Sequence, residues 1–128
     1  MNNFKTLYKE AYKVSKRRRL SKLAGCGGVG SALITGKGNI FTGICIDAAC
    51  SLGFCAEHSA ITEMLKSGES VIKEIVAVTD KKKILPACGR CRELILQINP
   101  KNINTLVHIS STERKTIKEL LPEPWGAG

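Results

Sequence analysis

The sequence predicts an α/β fold, a three-layer α/β/α sandwich in which helices cover a mixed β-sheet. Two β-rich segments, 31–35 and 39–46, flank Gly36-Lys37-Gly38 and predict a hairpin. Beyond this hairpin, segments with helical periodicity alternate with apolar β-branched runs, which is typical of strands joined through helices. A chain of 128 residues is long enough for its own core, so one domain over residues 1–128 is expected.

The N-terminal half begins with an amphipathic helix, because apolar residues recur at helical spacing from Phe4 to Tyr12. Residues 25–30 are rich in glycine but lack the Lys-Ser/Thr ending of a phosphate loop. They are therefore interpreted as a flexible connection into the hairpin. Residues 47–54 are expected to form the loop that follows the hairpin.

The C-terminal half contains two helices, two strands and a short final helix. A helix is predicted over residues 56–66, and a second one begins after Pro86 and ends at Asn99-Pro100. Segments 71–79 and 103–109 are rich in Val and Ile and predict strands. Thr116-Ile117-Lys118-Glu119 is a capping box that opens the last helix.

Composition limits the classes of partner. An apolar fraction of 43% and a charged fraction of 24% are ordinary for a soluble globular protein, and no apolar run approaches the roughly 18 residues of a membrane span. The net charge of +9 permits nonspecific attraction to nucleic acid, but only 5% of residues are aromatic, which argues against a base-stacking surface. Nucleic acid is not an expected partner, and Lys16-Arg17-Arg18-Arg19 is interpreted as a solvated helix end.

Six cysteines would allow three disulfides in a secreted protein. No apolar signal-peptide core follows Met1, so a reducing compartment is favoured and a cytoplasmic protein is expected. Cys26, Cys45 and Cys50 are then expected to be free thiols that behave as small buried hydrophobes.

The other three cysteines have the spacing of a metal site. Cys88-Gly89-Arg90-Cys91 supplies two thiols, and Cys55 supplies a third beside Glu57. A catalytic zinc typically has three protein ligands and a water, whereas a structural zinc has four protein ligands. Cys55 and Cys88 both fall at predicted helix N-termini, whose partial positive charge favours thiolates. The count favours an open site, and a structural site closed by His58 or Cys50 is the alternative.

Cys55-Ala56-Glu57 followed by Cys88-Gly89-Arg90-Cys91 resembles the zinc site of the cytidine deaminase superfamily. The three-cysteine form is similar to the small nucleoside branch, which includes cytidine deaminase and blasticidin-S deaminase. The likeness extends over about residues 29–122. It implies a five-stranded mixed sheet flanked by helices, Zn²⁺ as cofactor, and a homotetramer or homodimer.

The resemblance also implies a reaction. It is that of a hydrolase acting on the C–N bond of a cyclic amidine, which converts a cytosine ring to its uracil form and releases ammonia. Substrates of this class are cytidine, deoxycytidine or a cytosine nucleoside antibiotic such as blasticidin S. Glu57 would take a proton from a zinc-activated water and pass it to the ring and the leaving amine.

His58 stands where the family often has arginine. It is expected to donate an N–H group to the zinc-bound sulfurs, and its protonated form would offset part of their negative charge. The sulfurs are expected to raise the pKa of His58, and burial is expected to oppose the rise.

The resemblance places substrate contacts at Cys45, Asp47, Ala56 and Trp125. Cys45 and Asp47 occupy the positions of the Asn-x-Glu that holds ribose hydroxyls in cytidine deaminases, and Gly27 replaces an aromatic residue that packs on the base. A thiol cannot supply the donors and acceptors of an amide, so cytidine itself is expected to bind poorly. Trp125 either helps close the site or packs as a hydrophobic plug.

Two other functions remain open from the sequence. One is deamination of a different amino-substituted heterocycle. The other is a noncatalytic basic zinc-binding module, which the net charge of +9 favours.

Overall fold

A computed structural model describes residues 3–126. Four helices lie in this part of the chain: α1 (Phe4–Val14), α2 (Ala56–Lys66), α3 (Gly89–Ile98) and α4 (Ile117–Leu120). The strands there are β1 (Arg18–Arg19), β2 (Ala24–Thr35), β3 (Ile40–Ala48), β4 (Ile72–Thr79), β5 (Ile84–Leu85), β6 (Leu106–His108) and β7 (Arg114–Thr116). Short 3₁₀ turns cover Ala49–Ser51 and Pro100–Asn104.

The seven strands of the described part form one mixed sheet. β1 and β4 both pair with one edge of β2, while β3 pairs with its other edge. β5 and β6 likewise share the free edge of β4, and only the β4–β6 pair is parallel. The order of the longer strands is therefore β3-β2-β4-β6-β7. The two-residue strands β1 and β5 add no new position to this order, because β1 shares an edge of β2 with β4 and β5 shares an edge of β4 with β6. This explains why seven strands are found where five were expected.

Helices cover both faces of the sheet. Leu7 and Ala11 of α1 pack with Ala32, Val76 and Val78 on one face. The other face carries α2, α3 and α4 over a larger cluster, whose buried members are Leu33, Ala60, Ile61, Met64, Ile72, Ile75, Ala87, Cys91, Ile95, Val107 and Ile117. The predicted three-layer α/β/α sandwich with a mixed sheet is confirmed, and the predicted helical faces are those that pack inward.

The glycine-rich segment 25–30 is part of a strand, so its interpretation as a flexible connection was wrong. These residues lie within β2, whose register with β3 shifts between Cys26 and Gly30. Gly27 and Gly28 have φ values of 78° and 91° at this bulge. A Cβ atom on Gly27 would lie 2.1 Å from the carbonyl oxygen of Lys16. The glycines therefore allow a close approach of two backbones and do not provide flexibility.

Two further boundaries differ from prediction. Asp47 belongs to β3, so the connection to α2 begins after Ala48. The strand expected over 103–109 is shorter, because a 3₁₀ turn precedes β6. The buried Asn102 holds this turn in place by accepting from the N–H of Ile72 and donating to the carbonyl of Ile95. β1 and β7, which are two and three residues long, were not predicted.

Several local predictions are confirmed. Cys55 and Cys88 are the N-cap residues of α2 and α3, and Thr116 and Glu119 form the expected capping box. None of the six cysteines, all of which are described, is in a disulfide. Cys26 is buried as expected, whereas Cys45 is only partly buried and Cys50 is exposed. The helices found between residues 3 and 126 are too short or too polar to cross a bilayer.

Candidate active site

Three cysteine sulfurs converge where α2 and α3 begin. The Sγ of Cys88 lies 3.5 Å from the Sγ of Cys55 and 3.5 Å from the Sγ of Cys91. All three atoms lie within 4.8 Å of one another. Zinc with Zn–S bonds of about 2.3 Å and tetrahedral angles places sulfurs about 3.8 Å apart. The three thiols therefore fit a single zinc ion.

The protonation chemistry of this group also suits a cation. Burial raises the pKa of the Cys91 thiol well above its ordinary value, and the nearby Glu57 raises it further. Burial likewise raises the pKa of Cys55. Burial acts in the same direction on Cys88, but hydrogen bonds, first from the backbone of Cys91, bring the pKa of Cys88 below its usual value. A divalent cation supplies the charge that ionises such thiols.

The fourth ligand of a closed structural site is not found in residues 3–126. The group of candidate ligands contains Cys55, Cys88 and Cys91, and neither His58 nor Cys50 belongs to it. The arrangement is therefore that of a three-ligand site, as the spacing of the cysteines indicated.

Glu57 lies in the first turn of α2, beside the sulfurs. Its side chain is 5% exposed, and burial raises the pKa of its carboxyl group. The backbone N–H of Glu57 and then the Cys91 thiol act in the opposite direction on that pKa. A carboxyl group whose pKa is raised toward neutrality can both accept and return a proton.

His58 does not behave as expected. Its Nε2 atom is buried and has no hydrogen-bond partner in the described residues. Burial lowers the pKa of His58, and the positive charge of Arg90 lowers it further. The expected rise in pKa was therefore wrong in sign. Arg90, which lies between the cysteines of α3, is a permanent cation in this region instead.

Cys55, Cys88 and Glu57 line a cavity of about 670 Å³, whereas the buried Cys91 is not among its lining residues. Three of the expected substrate contacts, Cys45, Asp47 and Ala56, line it. Trp125 is not among its lining residues, and its side chain is 79% exposed. The backbone N–H of Trp125 donates to the carboxylate of Glu93 at 2.9 Å. Within residues 3–126, Trp125 therefore does not cover the cavity.

The cavity also contains residues that sequence reasoning missed. Arg17 and Arg90 both line it, together with Phe54 and Val29. Arg90 could have been found from its place inside the Cys-x-x-Cys pair. Arg17 lies in the basic run that was interpreted as a solvated helix end, and its neighbours in sequence do not mark it out.

The family model described as the cytidine and deoxycytidylate deaminase zinc-binding region matches residues 1–107. The chain belongs to this family. The expected resemblance and the zinc cofactor are thereby confirmed, and the enzyme class is that of a deaminase that hydrolyses a C–N bond.

Two relatives in this family carry different names. The chain is 31% identical over 96 residues to a probable cytidine deaminase of Dictyostelium discoideum, a match that covers 73% of this chain and 65% of that protein. It is 31% identical over 103 residues to a blasticidin-S deaminase of Bacillus cereus, covering 73% of this chain and 74% of that protein. The chain thus spans about two thirds of the Dictyostelium relative.

Solved structures agree with the fold of this family. The cytidine deaminase of Mycobacterium tuberculosis superposes with a TM-score of 0.81 at 22% identity, over 98% of this chain and 99% of that chain. The cytidine deaminase of Mycobacterium leprae superposes with a TM-score of 0.77 at 25% identity, over 96% of this chain and 100% of that chain.

Proposed function

We propose that this family member is a zinc-dependent hydrolytic deaminase that converts the cytosine ring of a small nucleoside-like molecule to its uracil form. One observation carries the proposal: the buried Glu57 lines the same cavity as Cys55 and Cys88, whose sulfurs form one group with that of Cys91. A proton carrier beside a three-ligand metal site is the combination that hydrolytic deamination of a cytosine requires, and this supports the proposal.

Cys55, Cys88 and Cys91 would hold Zn²⁺, which would supply the Lewis acidity that makes water a nucleophile near neutral pH. Glu57 would accept a proton from the attacking water on its carboxylate. It then donates the proton to N3 of the ring as the water oxygen bonds to C4. A second proton transfer through Glu57 reaches the exocyclic amine, the C4–N bond breaks, and ammonia leaves.

The surroundings of Glu57 support this role. The first turns of α2 and α3 place two helix N-termini at the sulfurs, where their partial positive charge stabilises thiolates. Ala77 and Leu85 contribute apolar surface to the cavity wall. Apolar walls reduce the access of bulk water, so the carboxyl group keeps its raised pKa when substrate is bound.

The substrate is proposed to be a cytosine compound other than plain cytidine. Where the family places an amide and an aromatic residue, this chain has Cys45 and Gly27, and neither can provide the same contacts. A site designed to hydrogen-bond a hydroxyl loses much of its affinity when a partner is missing. Asp47 and Ala56 are proposed as the remaining contacts, and Trp125 is proposed to close the site of its own or a neighbouring subunit.

Three wider proposals come from the resemblance and from cysteine chemistry. Residues 1–128 are proposed to form one domain. A homotetramer or homodimer is proposed, and the exposed Leu20, Leu23 and Leu52 side chains offer apolar surface for it. The site needs reduced thiols, so a reducing compartment such as the cytoplasm is proposed.

An ammonia-release screen tests the function. The zinc-loaded protein is incubated with cytidine, deoxycytidine, cytidine 5′-monophosphate and blasticidin S, and Glu57→Gln protein is the control. Ammonia together with the matching uracil product from at least one compound is expected. Zinc binding without ammonia from any of them would instead indicate a noncatalytic zinc module.

A further inference from the structure

One cationic side chain in the cavity has no part in the proposed chemistry. Arg17 lies between α1 and β1 and lines the same cavity as Glu57. Among the described residues, its guanidinium makes no hydrogen bond and no ion pair, although Asp47 lines that cavity as well. An exposed arginine without a protein partner has its full set of donors available for a ligand.

The backbone holds Arg17 in this position from both sides. On one side, the carbonyl of the buried Ser15 accepts a hydrogen bond from the N–H of Gly28 at 2.7 Å. On the other side, Arg18 pairs with Cys26 in the antiparallel β1–β2 ladder. Backbone contacts two residues before Arg17 and one residue after it therefore fix the position of its Cα atom, from which the side chain extends.

The glycines of β2 make room for the guanidinium. A Cβ atom on Gly28 would lie 2.8 Å from a terminal nitrogen of Arg17 and 3.2 Å from its Cζ atom. The guanidinium thus lies against bare backbone at the bulge. The positive charge of Arg17 lowers the pKa of the Cys45 thiol, although burial raises that pKa by more.

The orientation of the substrate determines what Arg17 meets. Deamination requires C4 of the cytosine ring at Glu57, where α2 and α3 begin. N1 is opposite C4 in the ring, so its substituent points away from Glu57. Outside the starts of α2 and α3, the cavity wall includes Arg17, Cys45 and Asp47, which come from β3 and the connection before β1.

We propose that Arg17 binds an anionic group, a carboxylate or a phosphate, on the N1 substituent of the substrate. The protein then prefers anionic cytosine nucleosides to neutral cytidine. This inference rests on the proposed deaminase function and names its substrate class. The family model covers both a nucleoside and a nucleotide deaminase by its description, so family membership does not decide between neutral and anionic substrates. A guanidinium matches either anion with two parallel hydrogen bonds, which an ammonium group cannot do.

The experiment compares zinc-loaded wild type, Arg17→Gln, Arg17→Lys and the matched control Arg18→Gln. Arg18 is an exposed arginine next in sequence, and it does not line the cavity. Ammonia release is measured with cytidine, cytidine 5′-monophosphate and the 5′-carboxylate of cytidine. Binding of the same compounds to the Glu57→Gln form of each protein is measured by calorimetry.

Wild type is expected to prefer at least one of the two anions to cytidine by 10-fold or more in kcat/KM, about the effect of one charged hydrogen-bonding pair. Arg17→Gln should lower kcat/KM for that anion by about 10- to 100-fold through KM, and should lower cytidine turnover by a smaller factor. The Arg17→Lys value should lie between those of wild type and Arg17→Gln. Arg18→Gln should match wild type. Whichever anion shows the larger Arg17 effect identifies the group as phosphate or carboxylate.

Two results overturn the inference: equal kcat/KM for cytidine and both anions, or an Arg17→Gln loss that is the same for all three compounds. If none of the three compounds is deaminated, the binding data decide the inference, and the screen of the wider compound set decides the proposed function. Anion binding that is lost in Arg17→Gln and retained in Arg18→Gln would still support the inference, and its absence would overturn it.

Discussion

The Sγ of Cys45 lies 2.9 Å from the carbonyl oxygen of Gly27 and donates a hydrogen bond to it. These are the two positions at which the resemblance implies an amide and an aromatic residue. Burial is the largest cause that raises the pKa of the Cys45 thiol, so the thiol keeps its proton at neutral pH and the hydrogen bond persists. The two departures are therefore one local structure in the cavity wall.

This structure makes Gly27 sensitive to substitution. Gly27→Ala combines a φ of 78° with a Cβ atom 2.1 Å from the Lys16 carbonyl oxygen, so backbone must move. The free energy of unfolding is expected to fall by about 2–4 kcal/mol. Urea denaturation of the apo protein measures it.

Gly38→Ala is the matched control for this test. Gly38 also has a positive φ, of 90°, but a Cβ atom there would meet nothing within 4 Å. Only backbone strain is added, so the free energy of unfolding is expected to fall by about 1 kcal/mol. Equal losses for the two variants would show that contact with Lys16 costs nothing.

Glu57→Gln is expected to retain zinc and fold while turnover falls by about 100- to 10,000-fold, because the amide cannot carry the proton. The measurements are kcat on a confirmed substrate, zinc content and melting temperature. Glu63→Gln on the same helix is the control, since Glu63 is exposed and pairs with Lys66 at 3.3 Å. Wild-type turnover in the Glu57 variant would exclude proton transfer through this residue.

Metal analysis should give one zinc ion per chain, held by Cys55, Cys88 and Cys91. Cys88→Ser should lose most of this zinc, whereas Cys50→Ser should keep it, because the exposed Cys50 lies outside the sulfur group. Chelation should lower the melting temperature of wild type, since a ligand of the folded state stabilises that state. Full zinc occupancy in Cys88→Ser would contradict the assigned ligand set.

The pH profile of kcat tests His58. Burial and then Arg90 lower the pKa of His58 below its usual 6.5, so the ring is neutral at pH 7 and stays neutral as pH rises. No alkaline limb should come from this residue. Wild type, His58→Arg and His58→Gln are expected to have superimposable alkaline limbs. A limb in wild type that disappears in His58→Arg would restore the view that His58 is the cation beside the thiolates.

The sequence determined the parts of this protein that depend on local pattern. Helical periodicity identified α1, and the N-cap positions of Cys55 and Cys88 followed from where two helical patterns begin. The three-cysteine group could be predicted for the same reason, because a Cys-x-x-Cys turn and a helix start set its geometry within a few residues.

Only the tertiary structure decided the rest of the cavity. The bulge at Gly27 exists because another backbone, at Lys16, approaches β2, and a glycine-rich run looks the same in a loop. Arg17 enters the cavity because β1 pairs with β2, and Trp125 lies outside it because the tail bonds to Glu93. Each of these positions depends on a contact with another segment of the chain, and such pairing produces no periodic pattern in the sequence around it.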